Sequence, residues 1–151
     1  MSNNFLTLGA IGVGGALGAI GRYGFGKFVI HYTGGGGFPY STLTVNILGC
    51  FCIGLFAQLL LSSETVAGEL GLHPPLRMFL SAFLIQGFLG GFTTFSSFGL
   101  EFVELLRRGE AALSLLYVAS SVVGGGLSTV LGWKFMAWLA GLLFSANPPL
   151  S

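Results

Sequence analysis

Arg77 to Gly109 reads RMFLSAFLIQGFLGGFTTFSSFGLEFVELLRRG, and its first charge after Arg77 is Glu101. The uncharged part is long enough to cross a bilayer, since a spanning helix needs roughly 20 apolar residues. Yet its centre, GGFTTFSSF from Gly90 to Phe98, carries paired glycines, the hydroxyls of Thr93, Thr94, Ser96 and Ser97, and phenylalanines at 92, 95 and 98. Paired glycines in mid-span predict an interruption near 90–94, in a third helix over about 76–107.

Three further uncharged runs, at 1–21, 28–63 and 111–133, frame this one. The chain of 151 residues is 53% hydrophobic and 7% charged, where soluble domains carry about a quarter charged residues. These runs predict an all-α integral membrane protein of four transmembrane helices, over about 5–30, 41–61, 76–107 and 110–142, in a single domain. In the first, Gly14 and Gly18 have the small-xxx-small spacing that lets helices approach. HYTGGGGFPYS reads as a loop, SSETVAGELGLHPP as a connection outside the bilayer, and NPPLS as a frayed tail.

MSNNF lacks the basic start of a signal peptide, so the first run is expected to persist as a helix. A net charge of +1 gives no reason to invoke nucleic acid or anionic lipid. Arg77 and Lys134 fall on one side of the membrane, and Arg22, Lys27, Arg107 and Arg108 on the other. So weak a bias is compatible with insertion in both directions.

Nucleotide, metal and proton chemistry find little footing. GRYGFGK, from Gly21 to Lys27, begins like a phosphate-binding loop, but Phe28 replaces the hydroxyl residue that would hold magnesium, and no strand precedes it. His31 and His73 fall in different loops, and Cys50 and Cys52 point to different sides of one helix, as ordinary thiols. Glu64, Glu69, Glu101, Glu104 and Glu110 cluster in loops or near helix ends, away from the mid-span position a proton carrier needs. No separate soluble part or internal repeat is present to house an enzyme.

What remains is polar groups inside spans. A broken helix frees backbone carbonyls, tolerated in a membrane only where protein, water or ions satisfy them, and unwound carbonyls can coordinate a cation. Phe92, Phe95 and Phe98 form a slowly drifting helical stripe. Such a stripe is packing on one reading, and on the other offers an anion its positive ring edges. Thr42 and Asn46, and Tyr117 and Ser121, are each four apart and so share a helical face. Asn46 can donate to an anion or act as interhelical glue. Arg22 either reaches a wet vestibule or snorkels to the interface.

GRY, TLTVNILG, GGFTTFSSF and YVASS, in this order along nearly the whole chain, closely resemble the Fluc (CrcB) family of fluoride channels. The resemblance implies an antiparallel, dual-topology homodimer in the inner (plasma) membrane, passively exporting fluoride that entered as neutral hydrogen fluoride. It implies a structural sodium ion at the dimer centre on the backbone carbonyls of Gly90 and Thr93, and a fluoride pathway matching Asn46, Phe95 and Phe98 with Thr42, Ser97, Tyr117 and Ser121. Arg22 takes a vestibule or structural place, and Phe92, bulkier than the usual aliphatic residue, goes to packing. Gly125 departs from the pattern, because the polar track after Ser121 lacks a hydroxyl there, for which water, backbone, Ser120 or Ser128 could stand in. Two other readings fit four short spans: a dual-topology drug exporter, which needs a carboxylate in helix one that this chain lacks, and a non-conducting assembly subunit.

Overall fold

The computed structural model describes residues 2–61, 67 and 70–145. The loop between the second and third spans therefore lies partly outside the described residues, and the NPPLS tail wholly outside them. Helix α1 covers Ser2–Thr33 and α2 covers Tyr40–Leu60. The third span is composite: α3 (Pro74–Ser81), a π-helical stretch (Ala82–Leu89), the single turn α4 (Gly90–Phe92), and α5 (Phe95–Arg107). Helix α6, Ala111–Ser145, completes four helices long and apolar enough to cross a membrane.

In lipid the apolar side chains gain little by leaving the solvent, so helices are held by close packing of small residues. Gly14 and Gly18 of α1 lie against the backbone of the π-helical stretch, where a Cβ on either would collide with Phe83 or Phe88. Gly91 presses in the same way on Gly15. A second interface joins α2 and α6, where Gly54 meets the Thr129 carbonyl and Gly132 meets that of Phe51. Large apolar residues such as Leu17, Leu115, Leu127 and Trp138 point outward, as suits a lipid solvent.

The interruption of the third span falls where expected by region but not by cause. Gly90 and Gly91 stay helical, and the chain becomes extended at Thr93 (φ −80°, ψ 161°) and Thr94 (φ −150°, ψ 121°). The glycines serve the contact with α1, and the break is made three residues later by polar partners. Gly109, at φ +77°, allows the tight turn from α5 into α6. Arg108 Nη2 donates to the Gly37 carbonyl at 2.9 Å, tying that turn to the α1–α2 loop.

Helices α2 and α6 run in the same direction, and their contacts advance in step. Thr42 and Tyr117 share a partner, Cys50 faces Gly125, and Gly54 faces Thr129. This register sets facing positions of the two helices level with each other, one pair per helical turn.

Candidate permeation site

Several backbone groups freed at the break find side chains. Asn46 Nδ2 donates to the Thr94 carbonyl at 3.0 Å, while the Thr94 N–H donates to Asn46 Oδ1 at 2.9 Å. The Asn46 amide thus imitates a strand partner for one residue. Arg22 Nη1 donates to the Thr93 carbonyl at 3.1 Å, so its head turns inward to the break instead of out to the interface. Thr94 Oγ1 accepts from the Ser97 N–H at 3.2 Å and caps α5, offsetting one of the orphan donors at a helix start.

Turning the Thr94 N–H toward Asn46 deprives the Gly90 carbonyl of its usual helical donor four residues on. The Thr93 carbonyl keeps one lone pair beside the one given to Arg22. Both oxygens are hard donors of the kind a small cation takes, and the Arg22 guanidinium is a near neighbour of the Thr93 carbonyl.

Two open cavities meet at Thr94. One, of about 320 Å³, is lined by Asn46, Cys50, Gly90, Thr93, Phe95, Phe98 and Ser121, among others. The other, of about 360 Å³, is lined by Arg22, Lys27, Ser41, Thr42, Thr94 and Ser97, among others. Of the residues singled out in the sequence, the first cavity gathers Asn46, Gly90, Thr93, Phe95, Phe98 and Ser121, and the second Thr42, Ser97 and Arg22. Tyr117 lines neither and is fully buried.

Hydrogen bonding separates the donors. The Ser121 hydroxyl is buried and has no hydrogen-bond partner among the described residues, on a residue that lines the first cavity. Asn46 keeps one amide hydrogen beyond the one given to Thr94. Ser97 Oγ accepts from Thr94 Oγ1 at 3.1 Å, leaving its own hydrogen to give. Thr42 and Tyr117 differ: Thr42 Oγ1 donates to Glu101 Oε1 at 2.7 Å and Tyr117 Oη to Glu101 Oε2 at 2.6 Å. Their hydroxyl hydrogens are committed to a carboxylate.

Glu101 is the residue that sequence reasoning misplaced among helix ends. It lies in the middle of α5, toward the end of the span Pro74–Arg107, joined to α2 and α6. The signal was there to read: Glu101 stands four residues after Ser97 and three after Phe98, on the face already judged functional.

Aromatic rings continue the line. Phe95 and Phe98 lie 5.5 Å apart between centroids, Phe98 and Tyr117 5.1 Å, and Tyr117 and Phe38 5.6 Å with an edge-on geometry. Phe95 is 83% exposed in the single chain. Phe92 is buried, stacked on Phe88 at 6.0 Å and tilted against Phe25 at 6.1 Å, which is a packing role.

Four apolar helices, one of them broken beside a cavity, define a multi-pass membrane protein. The chain belongs to the family described as CrcB-like protein, Camphor Resistance (CrcB), whose model matches residues 9–133. It is 41% identical over 131 residues to a fluoride-specific ion channel FluC of Chlorobium chlorochromatii (strain CaD3), covering 87% of this chain and 92% of that one. A protein of the same description from Rhizobium johnstonii is 40% identical, covering 86% and 95%, and one from Chloroflexus aurantiacus 39%, covering 92% and 99%.

Proposed function

We propose that this protein is a fluoride-selective channel, letting the anion leave the cell passively across the cytoplasmic membrane and so lowering its toxicity. The observation that carries the reading is the cavity lined by Asn46, with its spare amide hydrogen, by Ser121 and by the Phe95 and Phe98 rings. Fluoride is strongly hydrated, and a narrow path must return lost hydration through donors without binding so tightly that the ion stays. Single weak donors and ring edges meet that demand better than a fixed cationic clamp. The names of the similar proteins support the choice of anion.

The Glu101 group holds the mouth of this route. By accepting from Thr42 and Tyr117 it fixes α5 against α2 and α6, and with Tyr117 it holds Phe98 in place. Thr42 and Tyr117 therefore act on the pathway through position, while Asn46, Ser97 and Ser121 supply donors.

The same reading includes a sodium ion held by the Gly90 and Thr93 carbonyls and an antiparallel homodimer with a second copy of the chain. When bound, the ion would neutralise carbonyl dipoles left over at the break and join the two subunits there. Exposed Gln86, Gly90 and Phe95 lie on the third span, and unwound polar backbone at membrane depth requires cover by protein or water instead of lipid. A second copy covers both.

The test is fluoride release from liposomes holding the purified protein, with chloride release followed in parallel and an ionophore carrying the compensating cation. Fast loss of fluoride with chloride retained is the expected outcome. Folded, dimeric protein that releases neither anion defeats the proposal in favour of a non-conducting assembly subunit.

A further inference from the structure

The α1–α2 pair is flanked by a cavity at each end. At one end Arg22 and Lys27 line the cavity that reaches Thr94. At the other, an open cleft of about 380 Å³ takes Thr7 from α1, Leu60 and Leu61 from α2, and Arg77, Ser81 and Gln86 from the third span. Thr7 and Arg22 are separated by about 22 Å along α1, at 1.5 Å per residue, so the two cavities open toward opposite faces of the membrane. Winding of the third span brings its polar residues into the cleft. Arg77 and Ser81 are four apart, an α step, and Ser81 and Gln86 five apart, a π step, where the stretch Ala82–Leu89 begins. In a plain α-helix a step of five would set Gln86 on a different side from Ser81.

Arg77 is anchored but not fully engaged. Its Nε and Nη2 donate to the Leu60 carbonyl at 3.2 and 2.9 Å, and the guanidinium keeps further N–H groups to give. No acidic residue lines the cleft among the described residues, so Arg77 is not neutralised there, whereas Arg108 has Glu110 at 3.8 Å. Ser81 and Gln86 make no hydrogen bond to another described side chain, and Gln86 is exposed. A charged side chain within a span ordinarily faces protein or a water-filled cavity.

We infer that this cleft is a water-filled anion vestibule, the mouth of the pathway on the membrane face opposite Arg22. This rests on the channel reading above, since a channel needs a mouth on each face. Arg77 raises the local concentration of anions, as a cation with low-dielectric walls does. Ser81 and Gln86 replace hydration as the anion moves inward. Gln86 stands one turn before Gly90 and next to Ile85, both of which line the Asn46 cavity, and so joins the two spaces. A second copy seated at Gly90 walls the cleft from lipid and leaves its Arg77 end open to water.

The experiment places Ser81→Cys in a Cys50→Ala/Cys52→Ala protein, in liposomes exposed on both faces to one of two water-soluble reagents. One is anionic sulfonatoethyl methanethiosulfonate, the other cationic trimethylammonioethyl methanethiosulfonate. In each case the thiolate attacks the reagent, a sulfur–sulfur bond forms and methanesulfinate leaves, and intact mass measures the adduct. Both reagents are expected to label, because the thiolate forms only where water reaches. The anionic one should react several-fold faster, relative to the rates of the two with free cysteine. Arg77→Gln should abolish that preference and Arg77→Lys keep it; an arginine that merely caps α2 would leave it unchanged. Labelling by either reagent should slow fluoride efflux several-fold. A thiol that stays unlabelled in liposomes, yet labels after unfolding in dodecyl sulfate, overturns the inference, because lipid or protein then fills the cleft. Loss of the anionic preference in the Arg77 protein overturns it too, as does full labelling with efflux unchanged. If unlabelled protein releases no fluoride, the channel reading itself fails and this inference with it, a failure that the unlabelled control tells apart from the others.

Discussion

Asn46 and Thr94 exchange two hydrogen bonds, of 3.0 and 2.9 Å, across two helices. The pair converts a gap in one helix into a satisfied contact with another, and leaves a single amide hydrogen over. Asn46→Asp keeps an acceptor for the Thr94 N–H but sets a carboxylate oxygen against the Thr94 carbonyl and removes the spare donor. Fluoride efflux is expected to be lost. Asn46→Ala leaves both Thr94 groups unpaired, at about 1–3 kcal/mol each, and thermal unfolding in detergent should register that loss.

Ser121→Ala separates stability from conduction. Its hydroxyl is buried without a partner among the described residues, and removing such a group relieves a desolvation cost of about 1–3 kcal/mol. The variant should melt at an equal or higher temperature and release fluoride more slowly. Lower stability with unchanged flux would mean that the hydroxyl serves the fold and not the ion.

Replacing Phe95 or Phe98 by Ile keeps an apolar surface and removes the positive ring edge. Flux should fall while the protein remains assembled, as judged by gel filtration. If both variants conduct normally, the ring mechanism is wrong. Phe98 also touches Tyr117, so its variant is expected to lose some stability, whereas exposed Phe95 should lose little.

Tyr117→Phe strips one of two donors from Glu101 inside the bundle. The carboxylate oxygen left behind loses a 2.6 Å bond, which predicts destabilisation of about 1.5–3 kcal/mol, the range for bonds to charged groups. Thr42→Val acts on the other oxygen of the same carboxylate. The two effects should therefore combine non-additively in a double-mutant cycle, because both partners share Glu101.

Glycines in α1 are not equivalent. A Cβ on Gly18 meets the backbone of Phe88, while one on Gly12 has nothing within 4 Å. Gly18→Val is expected to cost at least about 1–3 kcal/mol by overpacking, and Gly12→Ala to be neutral or to stabilise by up to about 1 kcal/mol through helix propensity. Melting of the two proteins in one detergent checks both.

The four spans are legible in the sequence because hydropathy and charge spacing are local properties, and Gly14 and Gly18 announce their helix contact by spacing alone. The interrupted third helix is legible as a region. Its cause is not, since the break depends on Asn46 and Arg22, which come from other spans, and glycine pairs look alike whether they bend a helix or let one approach. Phe92 was assigned to packing from its size, and it does pack. Glu101 escaped notice because its distance from Arg107 made it resemble a helix end, and only the meeting of α2, α5 and α6 puts it between Thr42 and Tyr117. The spacing of Glu101 from Ser97 and Phe98 marks its face, but its pairing with the hydroxyls of Thr42 and Tyr117 comes only from the packing of three helices.

The π-helical stretch Ala82–Leu89 precedes all of this chemistry. A π turn takes in an extra residue compared with an α turn, so it acts as a phase shifter for everything downstream. In an α-helix each residue advances the azimuth by about 100°, and the stretch decides which way the Gly90 carbonyl, the Thr93–Thr94 break and the Phe95 ring all face. Excising one residue there would leave every one of these groups in the chain but swing them together, like a key cut correctly and turned to the wrong angle.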